Sequence, residues 1–130
     1  TCGTLLPYVI RYNGTKPEKP GLWPKYQYYN ADERYCQLAR AIGLKFNTVQ
    51  EGVEKFAKAV HDLGVEVGMA MNFKSQNVDK KEWEENLEKL AYLSYEDQCS
   101  PANPRVPMIK DMIELMRAAY EGTEIHYEQH

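Results

Sequence analysis

The sequence predicts an all-α fold, a helical bundle of five or six helices. Three observations carry that prediction. Apolar residues recur at helical spacing along most of the chain, several of these segments open on a capping signature or close on glycine, and no convincing run of alternating strand residues interrupts them. Helices in proteins are held mainly by burying one face, so these segments must pack on one another or on a partner region.

The first element, residues 2–12, carries Leu5, Leu6, Val9 and Ile10 as one helix face, with Asn13-Gly14 as its stop. Pro7 is tolerable there only near the helix start or at a kink. Residues 13–30 mix three prolines and two glycines with Trp23, Tyr26, Tyr28 and Tyr29, the composition of an ordered, irregular excursion pinned by aromatics. Asp32 is placed to cap a helix over 33–42, whose stripe Tyr35, Leu38, Ala39, Ile42 ends at Gly43. Thr48-Val49-Gln50-Glu51 reads as a capping box, and Val49, Val53, Phe56, Ala57, Val60 and Leu63 continue one face to a stop at Gly64. Within 65–77, Val65 and Val67 alternate like a short strand, but Met69-Ala70-Met71-Asn72-Phe73 are expected to form a short helix. Asp79 with Glu82 repeats the capping signature, ahead of an apolar face at Trp83, Leu87, Leu90, Ala91 and Ser94. The last helix carries Ile109, Met112, Ile113, Met116, Ala119 and Tyr120 and closes at Gly122, leaving residues 123–130 as a polar, frayed tail. Residues 1–122 thus form the helical part of the chain.

Between the last two helices lies Asp97-Gln98-Cys99-Ser100-Pro101-Ala102-Asn103-Pro104-Arg105-Val106-Pro107. Its prolines fix φ near about −65°, remove three backbone donors and push the preceding residues out of the helical region. Neither helix can run through this elbow. It can stand as a helix stop followed by a helix start, or as a rigid loop that holds Cys99, Asn103 and Arg105 in place. Asn103 can bond its own backbone ahead of Pro104, Arg105 can satisfy carbonyls at the end of the preceding helix, and Arg105 and Lys110 are near enough in sequence to favour a thiolate at Cys99.

At 130 residues, with 43% hydrophobic and 27% charged residues, the chain fits one globular domain. A net charge of −3 and dispersed basic residues disfavour nucleic acid and anionic membranes as partners. The longest uncharged run is too short to span a bilayer and the N-terminus lacks the order of a secretory signal, so a cytoplasmic location is expected. Cys2, Cys36 and Cys99 are odd in number and widely spaced, which disfavours both a disulfide framework and a zinc site. His61, His126 and His130 make no ligand set with neighbouring carboxylates. Glu82, Glu84, Glu85 and Glu88 fall among Lys80, Lys81 and Lys89 as a solvated face, and Met108, Met112 and Met116 read as a core seam. No nucleotide-binding glycine motif or nucleophile arrangement is present, so the residues alone nominate no complete active site and no metal site.

Two stretches, Leu5-Leu6-Pro7-Tyr8-Val9-Ile10-Arg11-Tyr12-Asn13 and Glu96-Asp97-Gln98-Cys99-Ser100-Pro101-Ala102-Asn103-Pro104-Arg105, resemble the iron-dependent alcohol dehydrogenases. Together with Trp23-Pro24-Lys25-Tyr26 and Ala31-Asp32-Glu33-Arg34-Tyr35, they look most like the C-terminal part of the alcohol dehydrogenase half of a bifunctional aldehyde-alcohol dehydrogenase. The resemblance implies NAD-dependent interconversion of acetaldehyde and ethanol, with the carbonyl polarised by divalent iron. It also implies that one Asp and three His hold the metal in a preceding part of the parent protein. This chain would then be the C-terminal part of the helical domain, one wall of the cleft, binding neither iron nor NAD and inactive alone. In that frame Cys99 faces the nicotinamide and substrate side, and Asn103 and Arg105 shape the turn beneath it. The partners implied are the preceding domain of the same enzyme and other copies, through self-association or filament-type assembly. Uncovering the face at Leu5, Leu6, Val9 and Ile10 would promote self-association. The alternative expectation is a non-catalytic helical protein-interaction module, motivated by the missing ligands and the aromatic excursion.

Overall fold

A computed structural model of the chain describes residues 1–18 and 28–128. Among them are five α-helices and no strand: α1 (Cys2–Asn13), α2 (Ala31–Ala41), α3 (Val49–Glu66), α4 (Lys80–Glu96) and α5 (Ile109–Glu121). Single 3-10 turns lie at Lys74–Gln76 and Ser100–Ala102. The all-α expectation therefore holds, and the helix count falls at its lower bound.

α3 packs against both α1 and α2, α4 packs against α5, and α1 also meets α5. That places α1 between two pairs of neighbours. It gives Ile10 to a cluster with Cys36, Val53 and Ala57, and Tyr8 to a cluster with Phe73, Ala118, Ala119 and Tyr120. A helix flanked on two sides buries more than one stripe, so Thr4, Arg11 and Tyr12 are buried while Leu6 is 44% exposed. The single face expected at Leu5, Leu6, Val9 and Ile10 is thereby corrected: Ile10 belongs to the core and cannot join an uncovered patch. Pro7 sits in the second turn, where its ring removes only the bond that would run back to Gly3.

α2 begins at Ala31, with Asn30 at the cap position and no side-chain cap. Asp32 instead lies in the first turn, its Oδ1 accepting from the Glu33 N–H at 2.8 Å, where its charge suits the helix dipole. The buried face is Cys36 and Ala39, whereas Leu38 and Ile42 are 49% and 57% exposed. Small residues decide this. A Cβ on Gly52 of α3 would stand 2.6 Å from Cys36 Sγ, so the close approach of the two helices is built on Cys36, Ala39 and Gly52 rather than on the larger side chains.

At the start of α3 the Thr48 Oγ1 accepts from the Glu51 N–H at 3.1 Å, as expected, while the Glu51 carboxylate accepts from Asn47 at 2.9 Å. The stop expected at Gly64 is overrun. Gly64 lies inside the helix where any Cβ would collide with Met71, and the chain turns at Gly68, whose φ of +80° favours glycine. The short helix expected at 69–73 is replaced by the 3-10 turn at Lys74–Gln76. Tertiary bonds explain the difference: Thr4 Oγ1 donates to the Ala70 carbonyl at 3.1 Å and the Phe73 N–H donates to Ala119 at 3.2 Å, while Gln76 Nε2 adds a local bond to the same Ala70 carbonyl at 2.9 Å.

Asp79 caps α4 through the Glu82 N–H at 2.9 Å. Trp83 stacks on Phe73 with ring centroids 4.9 Å apart, and Leu87 and Ala91 are buried. α5 ends at Gly122 with φ +81°, as its sequence predicts. The segment after it differs from the expected frayed tail: Ile125 packs on the Tyr8 cluster, and the Tyr127 ring meets Tyr12 edge to face at 5.6 Å. Trp23 and Tyr26 of the aromatic excursion lie outside the described residues, but the Tyr29 hydroxyl donates to the Asn13 carbonyl at 2.5 Å. Among the described residues no helix is long and apolar enough to cross a membrane.

Candidate functional site

The ends of α1 and α4, the proline elbow and α5 line an open cavity of about 400 Å³. Val9, Met112, Leu115 and Met116 supply an apolar lining, and Asn13, Asp97, Cys99, Asn103 and Asp111 its polar groups. That size and mixture suit a small-molecule site. Met112 and Met116, read from sequence as part of a core seam, line this cavity, and Met108 is 52% exposed.

The elbow holds its shape through side-chain bonds that replace the donors its prolines lack. Asp97 Oδ1 accepts from the Cys99 N–H at 2.8 Å, and Ser100 Oγ donates to the Ser94 carbonyl at 2.5 Å, fastening the first turn to α4. Asn103 Nδ2 donates to Asn13 Oδ1 at 2.7 Å and to the Arg105 carbonyl at 2.6 Å. Arg105 Nη1 donates to the Tyr12 carbonyl at 3.1 Å, and its guanidinium lies 4.1 Å from the centroid of the Tyr12 ring. Its expected role as a carbonyl-satisfying cation is thus played at the end of α1, across the molecule, rather than at the helix before it. The structure brings Cys99 and Asn103 to the cavity, Cys99 exposed and Asn103 half-buried, and turns Arg105 away from it toward α1 and the tail.

Sequence reasoning missed Tyr12, Asn13 and Asp111. Asn13, which the sequence offers as a helix stop at the end of the first family-like stretch, is 5% exposed and gives its amide oxygen to Asn103. The Tyr12 hydroxyl donates to Asp111 Oδ2 at 3.3 Å, and the same carboxylate accepts from the Met108 N–H at 2.9 Å. Proximity of the motif residue Asn13 to a helix end was the available signal, but a stop and a side-chain clamp look alike in one dimension.

Burial pushes the Tyr12 phenol far above its ordinary value, against the pull of Arg105 and with Asp111 adding to the rise. Tyr127 is likewise pushed up to about 12, chiefly by burial. Tyr12 therefore remains a hydrogen-bond donor throughout the neutral range. The linkage has a definite sign. In the unfolded chain these phenols ionise near about pH 10, while the folded chain keeps them protonated, so stability is full below about pH 10 and falls as pH rises toward about 12. Urea midpoints at pH 9 and 11 should show that fall, and Tyr12→Phe should flatten it.

Iron does not fit the described residues. Among them no group of three or more His, Cys, Asp or Glu converges to hold an ion. His61 pairs with Asp62 at 3.3 Å on the surface, and His126, 71% exposed, lies 3.6 Å from Glu124. All three thiols are free, with Cys36 buried and raised above its ordinary pKa by that burial.

The Fe-containing alcohol dehydrogenase family, C-terminal, matches residues 1–120. The aldehyde-alcohol dehydrogenase of Streptococcus pneumoniae serotype 4 is 58% identical over 122 residues, covering 94% of this chain and 14% of that relative. Aldehyde-alcohol dehydrogenase 2 of Entamoeba histolytica is 54% identical over 116 residues, covering 89% of this chain and 13% of the relative. The bifunctional aldehyde-alcohol dehydrogenase of Escherichia coli K12 is 29% identical over 119 residues, again 89% and 13%. The chain thus spans a small part of the length of the relatives it matches.

Proposed function

The chain belongs to the Fe-containing alcohol dehydrogenase family, and from that membership we propose that it forms one wall of the catalytic cleft in an iron- and NAD-dependent alcohol dehydrogenase, within a bifunctional aldehyde-alcohol dehydrogenase that interconverts acetaldehyde and ethanol. On this reading residues 1–122 are the C-terminal part of its helical domain, residues 123–130 follow as a polar tail, and the remainder of the parent protein carries the metal ligands and the nucleotide site.

The supporting observation is the meeting of the two family-like stretches. They lie 90 residues apart in sequence, yet Asn13 of the first and Asn103 of the second share a hydrogen bond of 2.7 Å at the edge of one cavity. Cys99 sits there with a small, exposed side chain, Val9, Met112, Leu115 and Met116 give the cavity its apolar lining, and Asn103 and Arg105 fix the turn beneath it. These residues bind and shape; they supply no acid, base or metal ligand. A non-catalytic interaction module would give no reason for the 58% identity to reach across 94% of the chain.

The test is Cys99→Trp in the full-length parent. Filling the lip of the cleft should raise the KM for ethanol by about tenfold or more, the scale on which pocket volume discriminates small apolar groups, while the aldehyde-oxidising half is unaffected. An unchanged KM would remove Cys99 from the cleft.

A further inference from the structure

Side-chain bonds tie the elbow to α1 and α4, and the segment after α5 supplies a further anchor that the family-matched residues 1–120 do not contain. From Gly122 the chain turns back along α1 with alternating character: Glu124, His126 and Glu128 are exposed, and Ile125 and Tyr127 are half-buried. Period-two alternation is what an extended strap with one packed side requires. Glu124 lies 3.4 Å from the buried Arg11 guanidinium, Ile125 packs on the Tyr8 cluster, and Tyr127 meets Tyr12. The Arg105 guanidinium is shared by two rings, at 4.1 Å from Tyr12 and 5.0 Å from Tyr127.

We propose that this tail is a strap and that Tyr127 is a positioning residue, holding Arg105 and through it the proline elbow against the end of α1. A long side chain such as arginine loses rotamer freedom when fixed, and a second aromatic face with a partly buried setting offsets that loss. Arg105 in turn holds the Tyr12 carbonyl while its own carbonyl accepts from Asn103, so loosening Arg105 loosens the turn that presents Cys99. The functional consequence rests on the cleft-wall reading; the mechanical one does not.

Two measurements on the full-length parent separate them. Amide hydrogen exchange over residues 97–107 should become about tenfold faster in Tyr127→Ala, as loss of a partly buried cation–π contact allows, and Tyr127→Phe should restore it because the ring is retained. The KM for ethanol should rise in Tyr127→Ala with kcat nearly unchanged, again restored by phenylalanine. Glu128→Ala, on the exposed side of the strap, should change neither. Unchanged exchange in Tyr127→Ala, or failure of phenylalanine to restore it, would overturn the strap. Faster exchange with an unmoved KM would uphold the strap and overturn the reading of the elbow as a cleft wall.

Discussion

Ile10→Ala should lower the unfolding free energy by about 2–5 kcal/mol, the cost of emptying a fully buried aliphatic site. Ile10 is 1% exposed and packs with Cys36, Val53 and Ala57 where α1, α2 and α3 meet. Leu6→Ala, in the same apolar run but 44% exposed, should cost about 1 kcal/mol or less. The sequence pattern treats the two residues alike, so the contrast tests which side of α1 faces the core. Urea denaturation of the two variants would measure it, and equal losses would place the helix wrongly.

Glu54→Ala should be the second severe substitution. Arg11 is 6% exposed, and its guanidinium is held by Glu54 through Nε at 3.0 Å and Nη2 at 2.8 Å, joining α1 to α3. Burial works against the Arg11 charge, but the hydrogen bonds and charge of Glu54 outweigh it and raise its affinity for the proton. Removing Glu54 leaves, among the described residues, Glu124 at 3.4 Å as the carboxylate paired with this buried cation. Breaking a fully buried pair costs about 3–5 kcal/mol; with Glu54 38% exposed and Glu124 in reserve, about 2–3 kcal/mol is expected. The double variant Arg11→Met/Glu54→Leu should recover most of it, because an apolar pair needs no compensating charge. A double-mutant cycle on unfolding free energies would show that coupling.

Helix existence was legible because α3 buries Val53 and Ala57 and α4 buries Leu87 and Ala91 at helical spacing, and because Thr48, Asp79 and Gly122 bound α3, α4 and α5 as local chemistry dictates. Faces were less legible. Leu38 on α2 and Ile42 at its C-cap stay exposed because the smaller Cys36 and Ala39 face α3 at Gly52, a choice made by close approach and not by hydrophobicity. The expected helix at 69–73 fails for a related reason: the Ala70 carbonyl accepts from Thr4 and the Phe73 N–H donates to Ala119, partners distant in sequence that no local pattern could announce. Cys99 and Asn103, singled out by their place in a rigid loop and by the family resemblance, line the cavity. Asn13 and Tyr127 were not singled out, since each acts through a residue distant in sequence.

The central proposal is that the chain contributes a wall and not the chemistry. Its most direct test is to load the purified 130-residue chain with ferrous iron and NAD, measure bound metal and ethanol-dependent NADH, and repeat after adding the separately produced remainder of the parent enzyme. The account predicts no stoichiometric iron and no NADH from the chain alone, with activity appearing once the two parts combine. One tightly bound iron per chain, with turnover in the absence of the remainder, would contradict it.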